Sequence, residues 1–359
     1  MGLSMAVQPR VDDAPTERFI RLGALAKRAR QNARVQEVMS TSDFSFMADV
    51  IDRGTIVSYL DESVPINYPV LSKRRDTTSL ARAGSGHGVD YRLNAARKVN
   101  QVDEGGEYLA VNPSDESFEA HTYKFGASWS LTWEAWLSDN RDLGMLMEYP
   151  QTFGLSARYT QQYVFTEKYA NSATLFTAQR GNLKTGAGGA LNAENLATGI
   201  STIRHFADPA GNVSVYTGPL YLVVPDSLEY TARPLVESTS VVTGNTTPVP
   251  VNNPVFRSVQ VIVDPLLEAV SDANGTTAWY LFCDPRFRPA LRHGFLRGYE
   301  TPGVYVKEGD ARQLMGGTVD PFDGDFLSDE IEFKLRFTFG VDEADWRGGY
   351  KSTGEAAAE

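Results

Sequence analysis

The sequence holds few of the residues that usually carry redox or metal chemistry. Its one cysteine, Cys283, excludes an intrachain disulfide and any multi-cysteine metal site. That cysteine ends the apolar run Trp279-Tyr280-Leu281-Phe282-Cys283 and reads as a buried, inert thiol. Histidine is scarce too. His87, His121, His205 and His293 are scattered, with no HExxH or comparable metal spacing. No stretch reaches the ~18 consecutive apolar residues of a membrane span. Met1 to Pro15 has no charged region followed by an apolar one, so no signal peptide is expected and synthesis in a cytoplasm follows. A basic excess is also missing: the formal net charge is −11, the wrong sign for a dedicated nucleic-acid binder.

What is present is an ordinary globular composition, 42% hydrophobic and 22% charged, which excludes general disorder. At 359 residues the chain can bury a substantial core as one large or two intertwined domains. The charge is uneven. From Gly298 to the end there are 14 acids against 6 bases, whereas Glu17 to Ser40 carries six bases against two acids. Glu17 to Met39 reads as an amphipathic basic helix. Leu22, Leu25, Ala26, Ala29 and Ala33 keep one face, and Arg18, Arg21, Lys27, Arg28, Arg30 and Arg34 surround it. Such a helix is either docked with a solvated basic face or in contact with DNA or an acidic scaffold.

Along the chain the pattern predicts an α+β protein. Thr55-Ile56-Val57 and Ile66-Asn67-Tyr68 are strand-like pieces broken by Pro65 and Pro69. Lys73 to Gly88 is a glycine-rich loop. It has neither the preceding strand nor the lysine-serine/threonine ending of a phosphate cradle. Residues 90–125 form an extended hairpin with turns at Asp103-Glu104-Gly105-Gly106-Glu107 and Asn112-Pro113-Ser114-Asp115. A hairpin this polar has no face to bury within its own subunit, so it is expected to lie on something else. Tyr123 to Trp136 starts as a strand and passes into a helix bearing Trp129, Trp133 and Trp136, with core packing as their expected role. A long helix follows Pro150, from about Gln151 to Asn171, with Leu155, Tyr159 and Tyr163 at four-residue spacing.

Further on, Asn192 is a candidate N-cap for a helix to Phe206. Leu220 to Val224 is a continuous apolar run of the buried-strand kind, with a helix expected from Ser227 to Leu235. Ser238 to Pro254 carries no charge and reads as a long surface loop. Val259 to Val263 and Ala278 to Cys283 are further buried strands, and Leu291 to Tyr305 contains more strand. From Glu330 to Phe339 the alternation is clean, with Ile331, Phe333, Leu335, Phe337 and Phe339 on one face. Burying five such side chains contributes about 8–15 kcal/mol before entropy.

No catalytic, cofactor-binding or metal-binding residue is nominated. There is no GxSxG elbow. A glycosidase-type carboxylate pair could be far apart in the chain and leaves no sequence signature. Asp320, Asp323 and Asp325 share the spacing of a calcium loop without its remaining ligands, and read as an acidic turn.

Six segments, in order, resemble the major capsid proteins of tailed bacteriophages, which share the Hong Kong 97 fold, and most of all the Mu-type major head subunits. They are the basic N-terminal helix and the polar hairpin with Val102-Asp103-Glu104-Gly105-Gly106-Glu107. Next come Tyr123-Lys124-Phe125-Gly126 running into Trp129-Ser130-Leu131-Thr132-Trp133-Glu134-Ala135, Ser138-Asp139-Asn140 and the long helix. Tyr221-Leu222-Val223-Val224-Pro225 is fourth, and Val259 to Pro265 with Trp279 to Pro285 fifth. The last is Phe333 to Gly340 with Asp345-Trp346-Arg347-Gly348-Gly349. The order covers roughly residues 20–350.

The resemblance implies an N-terminal arm at 1–50, a lead-in to the peripheral domain at 51–69 and an extended loop at 70–125. A peripheral domain with a spine helix would occupy 126–214 and an axial domain 215–325, followed by a return strand and C-terminal tail at 326–359. It implies a non-enzymatic subunit, assembled in the host cytoplasm, that self-assembles into hexamers and pentamers of an icosahedral virion shell. The implied partners are other copies, a separate scaffolding protein, a portal, a decoration protein and packaged double-stranded DNA in non-specific contact. No membrane or cofactor is implied. Some members crosslink lysine to asparagine; Lys98 has no acid placed beside it by any motif, so no crosslink is expected. An encapsulin-like nanocompartment shell is the nearest rival, and a β-rich hydrolase the rival of another class.

Overall fold

The computed structural model describes residues 53–61, 63–80, 89–94, 114–132, 144–186, 188–207, 216–243, 249–253, 255–307 and 330–354. The basic segment before residue 53, His87, Lys98, Trp133, Trp136 and the Asp320-Asp323-Asp325 turn lie outside them.

Helices are α1 (53–60), α2 (Tyr68–Leu71), α3 (Gly144–Ala170), α4 (Ala193–His205), α5 (Glu229–Glu237) and α6 (Leu267–Val270). The first strands are β1 (Ser72–Arg74), β2 (Val89–Asn94), β3 (Ser114–Glu119), β4 (Tyr123–Thr132) and β5 (Leu183–Lys184). They are followed by β6 (Leu220–Val224), β7 (Ser240–Thr243), β8 (Val249–Asn252), β9 (Gln260–Val263) and β10 (Trp279–Cys283). The last are β11 (Leu291–Gly294), β12 (Gly303–Val306), β13 (Glu330–Glu343) and β14 (Gly349–Ser352). The chain divides into two compact units. The larger comprises Thr55–Ala127, Thr152–Gly303 and Leu335–Glu359, and the smaller Met1–Gly54, Ser128–Gln151 and Val304–Lys334.

One sheet of the larger unit runs β5-β14-β10-β6-β9. Its centre follows from composition: β6 (Leu-Tyr-Leu-Val-Val) and β10 (Trp-Tyr-Leu-Phe-Cys) are apolar on both faces, the pattern of strands covered on both sides. On one side Trp279, Leu281, Cys283, Leu222 and Val224 meet Leu196, Ile200 and Ile203 of α4 and Ala232 and Val236 of α5. On the other, Tyr280 and Phe282 meet Tyr169 near the end of α3 edge-on, at 5.1 and 5.6 Å between ring centroids. The Asn192 side chain caps α4 as expected, accepting from the Asn195 amide at 2.7 Å.

A second sheet joins β1 parallel to β11 and β11 antiparallel to β13, with β4 also on β13. The alternation read from β13 holds: Phe333, Leu335, Phe337 and Phe339 are all buried. In the larger unit Phe337 stacks on Phe125, and Phe339 meets Tyr68 and Phe295. In the smaller unit Phe333 stacks on Trp129 at 4.1 Å.

Several local expectations are corrected. Thr55-Ile56-Val57 is helical, in α1, because Thr55 and Ser58 are the buried face and pack against Gly154 of α3. Tyr68 opens a helical turn with Pro69 in its first turn, where the missing N–H costs nothing. Trp129 lies on strand β4 rather than on a helix. Helix α3 begins at Gly144, before Pro150. Its buried stripe is Ala157, Gln161, Gln162, Phe165, Thr166, Tyr169 and Ala170, whereas Tyr159 and Tyr163 point outward. The uncharged segment from Ser238 is a hairpin, β7 with β8, in register from Ser240↔Asn252 to Thr243↔Val249.

Candidate assembly surfaces

The buried titratable groups are structural. The Ser72 hydroxyl lies 2.5 Å from the Tyr68 carbonyl and 2.7 Å from His293 Nδ1. Two oxygens that close need a proton between them, and only the serine has one to give. His293 must therefore donate from Nδ1 to Ser72, so the serine is not activated as a nucleophile. Burial, reinforced by the Arg74 charge, holds the His293 ring down to about 4 from its ordinary 6.5. Below pH 6.5 the unfolded chain takes up a proton that the folded chain refuses until about pH 4. The contribution of this ring to stability is intact above pH 6.5, and about 3 kcal/mol is lost by pH 4. Denaturation curves across that window should show the loss, and His293→Asn, which keeps a donor for Ser72, should flatten it.

Cys283 is fully buried, and burial pushes its thiol up to about 12. At pH 8 only ~1 in 10,000 molecules would carry the thiolate. A thiol reagent is expected to label Cys283 only at the rate of unfolding; fast labelling of the native protein would contradict that placement. His205 is exposed at the end of α4, with Nδ1 2.7 Å from the Ser201 carbonyl. Among the described residues no three His, Cys, Asp or Glu side chains are grouped as metal ligands, and no helix is long and apolar enough to cross a membrane.

One stretch of the polar face of α3 is organised by an acid. Asp264, fully buried just after β9, accepts through Oδ2 from Thr166 Oγ1 (2.6 Å), Tyr169 OH (2.8 Å) and Gln162 Nε2 (3.1 Å). Its Oδ1 accepts from the Leu266 amide at 3.1 Å. Burial, together with this carboxylate, raises the Tyr169 hydroxyl well above the usual tyrosine range. Next along the helix, Gln161 accepts from the hydroxyls of Tyr59 and Tyr68. Sequence reasoning missed this face because glutamine, threonine and alanine carry no hydrophobic period. The only signal was an acid, Asp264, directly after an apolar strand; that strand, expected to be buried, is half-buried at the end of its sheet.

Other features are left uncovered among the described residues. Strands β2 and β3 pair antiparallel from Val89↔Glu119 to Asn94↔Ser114, and with no other strand among the described residues. A lone two-stranded ribbon is marginal in water. Its base is anchored: Arg292 lies over Phe118 at 4.8 Å, and Thr77 Oγ1 donates to the fully buried Thr122 Oγ1 at 2.8 Å. Just beyond, Asp342 accepts from the His121 amide at 2.5 Å and lies 3.0 Å from His121 Nδ1. Strands β7 and β8 form a second ribbon that joins no other strand among the described residues. Large apolar side chains also face outward, Tyr230 at 87% and Phe287 at 63% exposure. These features suit a subunit that is completed by contacts with other chains.

Comparison with known proteins decides the class. The model of the phage capsid protein family matches residues 115–352. The chain belongs to the phage capsid protein family. It is accordingly a shell subunit of mixed helices and sheets, structural in role, that associates with its own copies in the virion capsid. No curated protein matches the sequence. Among solved structures, the capsid of the cyanophage P-SCSP1u is similar over 83% of this chain and 92% of its own, at 9% identity and a TM-score of 0.49. A structure from Gordonia phage Cozz is similar over 91% and 98%, at 14% identity and a TM-score of 0.47. The holo-SrpI encapsulin complex from Synechococcus elongatus PCC 7942 is similar over 92% and 97%, at 12% identity and a TM-score of 0.41. At these scores the likenesses add no weight to the assignment, which rests on the family match.

Proposed function

We propose that this capsid subunit builds an icosahedral head of the Hong Kong 97 type from hexamers and pentamers, enclosing double-stranded DNA. The match to the capsid family over residues 115–352 carries the reading. The order of elements supports it: a polar ribbon, a 27-residue helix, an apolar central sheet, and a long strand returning near the end. In this proposal residues 1–50 are the arm, 51–69 the lead-in, and 70–125 the extended loop. Helix α3 is the spine of a peripheral domain within 126–214, residues 215–325 form the axial domain, and 326–359 supply the return strand and tail. Membership of the Mu-type branch, assembly in the host cytoplasm, and a scaffolding protein, portal and decoration protein as partners belong to the same proposal. The subunit has no enzymatic activity in it.

Co-expression with the neighbouring genes, followed by nuclease treatment of pelleted particles, tests the cargo. Protected DNA of uniform length is expected. Particles that protect a protein cargo and no DNA would favour a nanocompartment shell instead.

A further inference from the structure

A pocket of about 460 Å³ in the larger unit is lined from α1, α2, α3 and the β11 strand with the residues that follow it. That volume lies within the range of about 300–1,000 Å³ in which proteins hold small molecules. Leu60, Ile66, Pro69 and Phe295 give it apolar walls. Its polar side is unevenly paired. The essentially fully buried Gln161 accepts through Oε1 from the hydroxyls of Tyr59 (3.0 Å) and Tyr68 (3.2 Å). Its Nε2 has no acceptor. Turning the amide end for end only moves the surplus: Nε2 would then donate to the two phenol oxygens and release their hydroxyl protons. Either way the Gln161-Tyr59-Tyr68 cluster holds more donors than acceptors, and all three residues line the pocket. A buried donor surplus is costly until an acceptor arrives.

A positive charge stands beside that surplus. Arg158, three residues before Gln161 on the same face of α3, also lines the pocket. Its Nε and Nη1 donate to the backbone carbonyls of Val64 (2.6 Å) and Tyr59 (3.2 Å), so its charge meets no carboxylate among the described residues. The other cation, Arg74, is neutralised by Asp76, both of whose oxygens lie 3.0 Å from its Nε. Glu300, which accepts from the Gly298 amide at 3.0 Å, adds one negative charge within the field of Arg74. One end of the pocket therefore calls for a single anionic oxygen pair, while the Glu300 end repels a second anion. We propose that this pocket binds a small monocarboxylate, with its carboxylate against Arg158 and Gln161 and its apolar body against Leu60, Ile66, Pro69 and Phe295. The site lies within one subunit and does not depend on the reading of the chain as a shell component.

Isothermal titration calorimetry on the full-length, unassembled subunit tests it, with benzoate, hexanoate, neutral benzyl alcohol and inorganic phosphate as probes. Both carboxylates should bind saturably at one per subunit, at least about tenfold more tightly than benzyl alcohol or phosphate. Gln161→Met, which keeps the volume and removes the donor, should weaken benzoate at least about tenfold. Glu300→Gln keeps an acceptor for the Gly298 amide and removes the repelling charge, so it should tighten benzoate about threefold. A purely structural role for these residues predicts no such gain. If Gln161→Met unfolds the subunit, Leu60→Glu gives the same readout from an exposed wall position, where a like charge should abolish benzoate binding. No saturable binding of either carboxylate would overturn the proposal. So would equal affinity for benzyl alcohol, or unchanged benzoate affinity in Leu60→Glu. Phosphate binding more tightly than benzoate would also overturn it, by giving the pocket to a dianion.

Discussion

Replacing Asp264 with alanine is expected to destabilise the unassembled subunit by about 4 kcal/mol, lowering its melting temperature by roughly 8 °C. The carboxylate satisfies three side-chain donors from one face of α3, and all three belong to residues that are essentially fully buried. Without it the Tyr169 hydroxyl and Gln162 are left to share the Thr166 hydroxyl, which Gln162 approaches at 3.2 Å. An orphaned buried donor costs about 1–3 kcal/mol, more when its lost partner was charged. Asp264→Asn should fall between wild type and alanine, since an amide accepts through one oxygen and presents an N–H to at least one existing donor. Urea denaturation of the subunit, held apart from assembly, measures the difference. A loss under about 1 kcal/mol for the alanine variant would mean that α3 is not tied to the β9 end of the first sheet through this residue.

Gly154→Ala is a test of sign. In a helix interior, alanine in place of glycine is ordinarily stabilising by about 1 kcal/mol. Here the opposite is expected, a loss of about 2 kcal/mol, rising to about 3 kcal/mol for Gly154→Val. A Cβ at this position would run into the Ser58 side chain and the Thr55 carbonyl, and would approach the Tyr59 amide to 2.6 Å. Two of these are backbone atoms of α1, so relief requires moving the helix. Arg158 also holds that helix in place, donating from Nη1 to the Tyr59 carbonyl at 3.2 Å. A gain in stability for the alanine variant would show that α1 does not pack this closely on α3.

What could be read from the sequence follows the physical source of each element. Strands β6, β10 and β13 were legible because burial on two faces demands a continuous apolar run, and burial on one face demands alternation. Helix α4 was legible from Asn192, whose amide side chain serves the helix start locally. Elements stabilised by distant polar partners were not. Residues 55–57 have the composition of a strand, yet Thr55 and Ser58 face α3 in a helix, because Gly154 opens space there that no local window contains. The stripe Gln161, Gln162, Thr166 and Tyr169 was hidden for the same reason, since its partner Asp264 lies about a hundred residues away. The apparent stripe of Leu155, Tyr159 and Tyr163 has its two tyrosines turned outward, as surface available to another chain. The β2–β3 ribbon, which joins no other strand among the described residues, fits the low apolar content of its segment. Its anchor at Phe118 and Arg292 was not legible, because it pairs two residues that no sequence periodicity connects.

The central claim, that this chain is a shell-building subunit, is tested most directly by negative-stain electron microscopy of the protein expressed alone and with its neighbouring genes. Closed shells, or rings of six and five subunits, are the predicted result. Small monodisperse particles under every condition, with the scaffolding protein present, would contradict it.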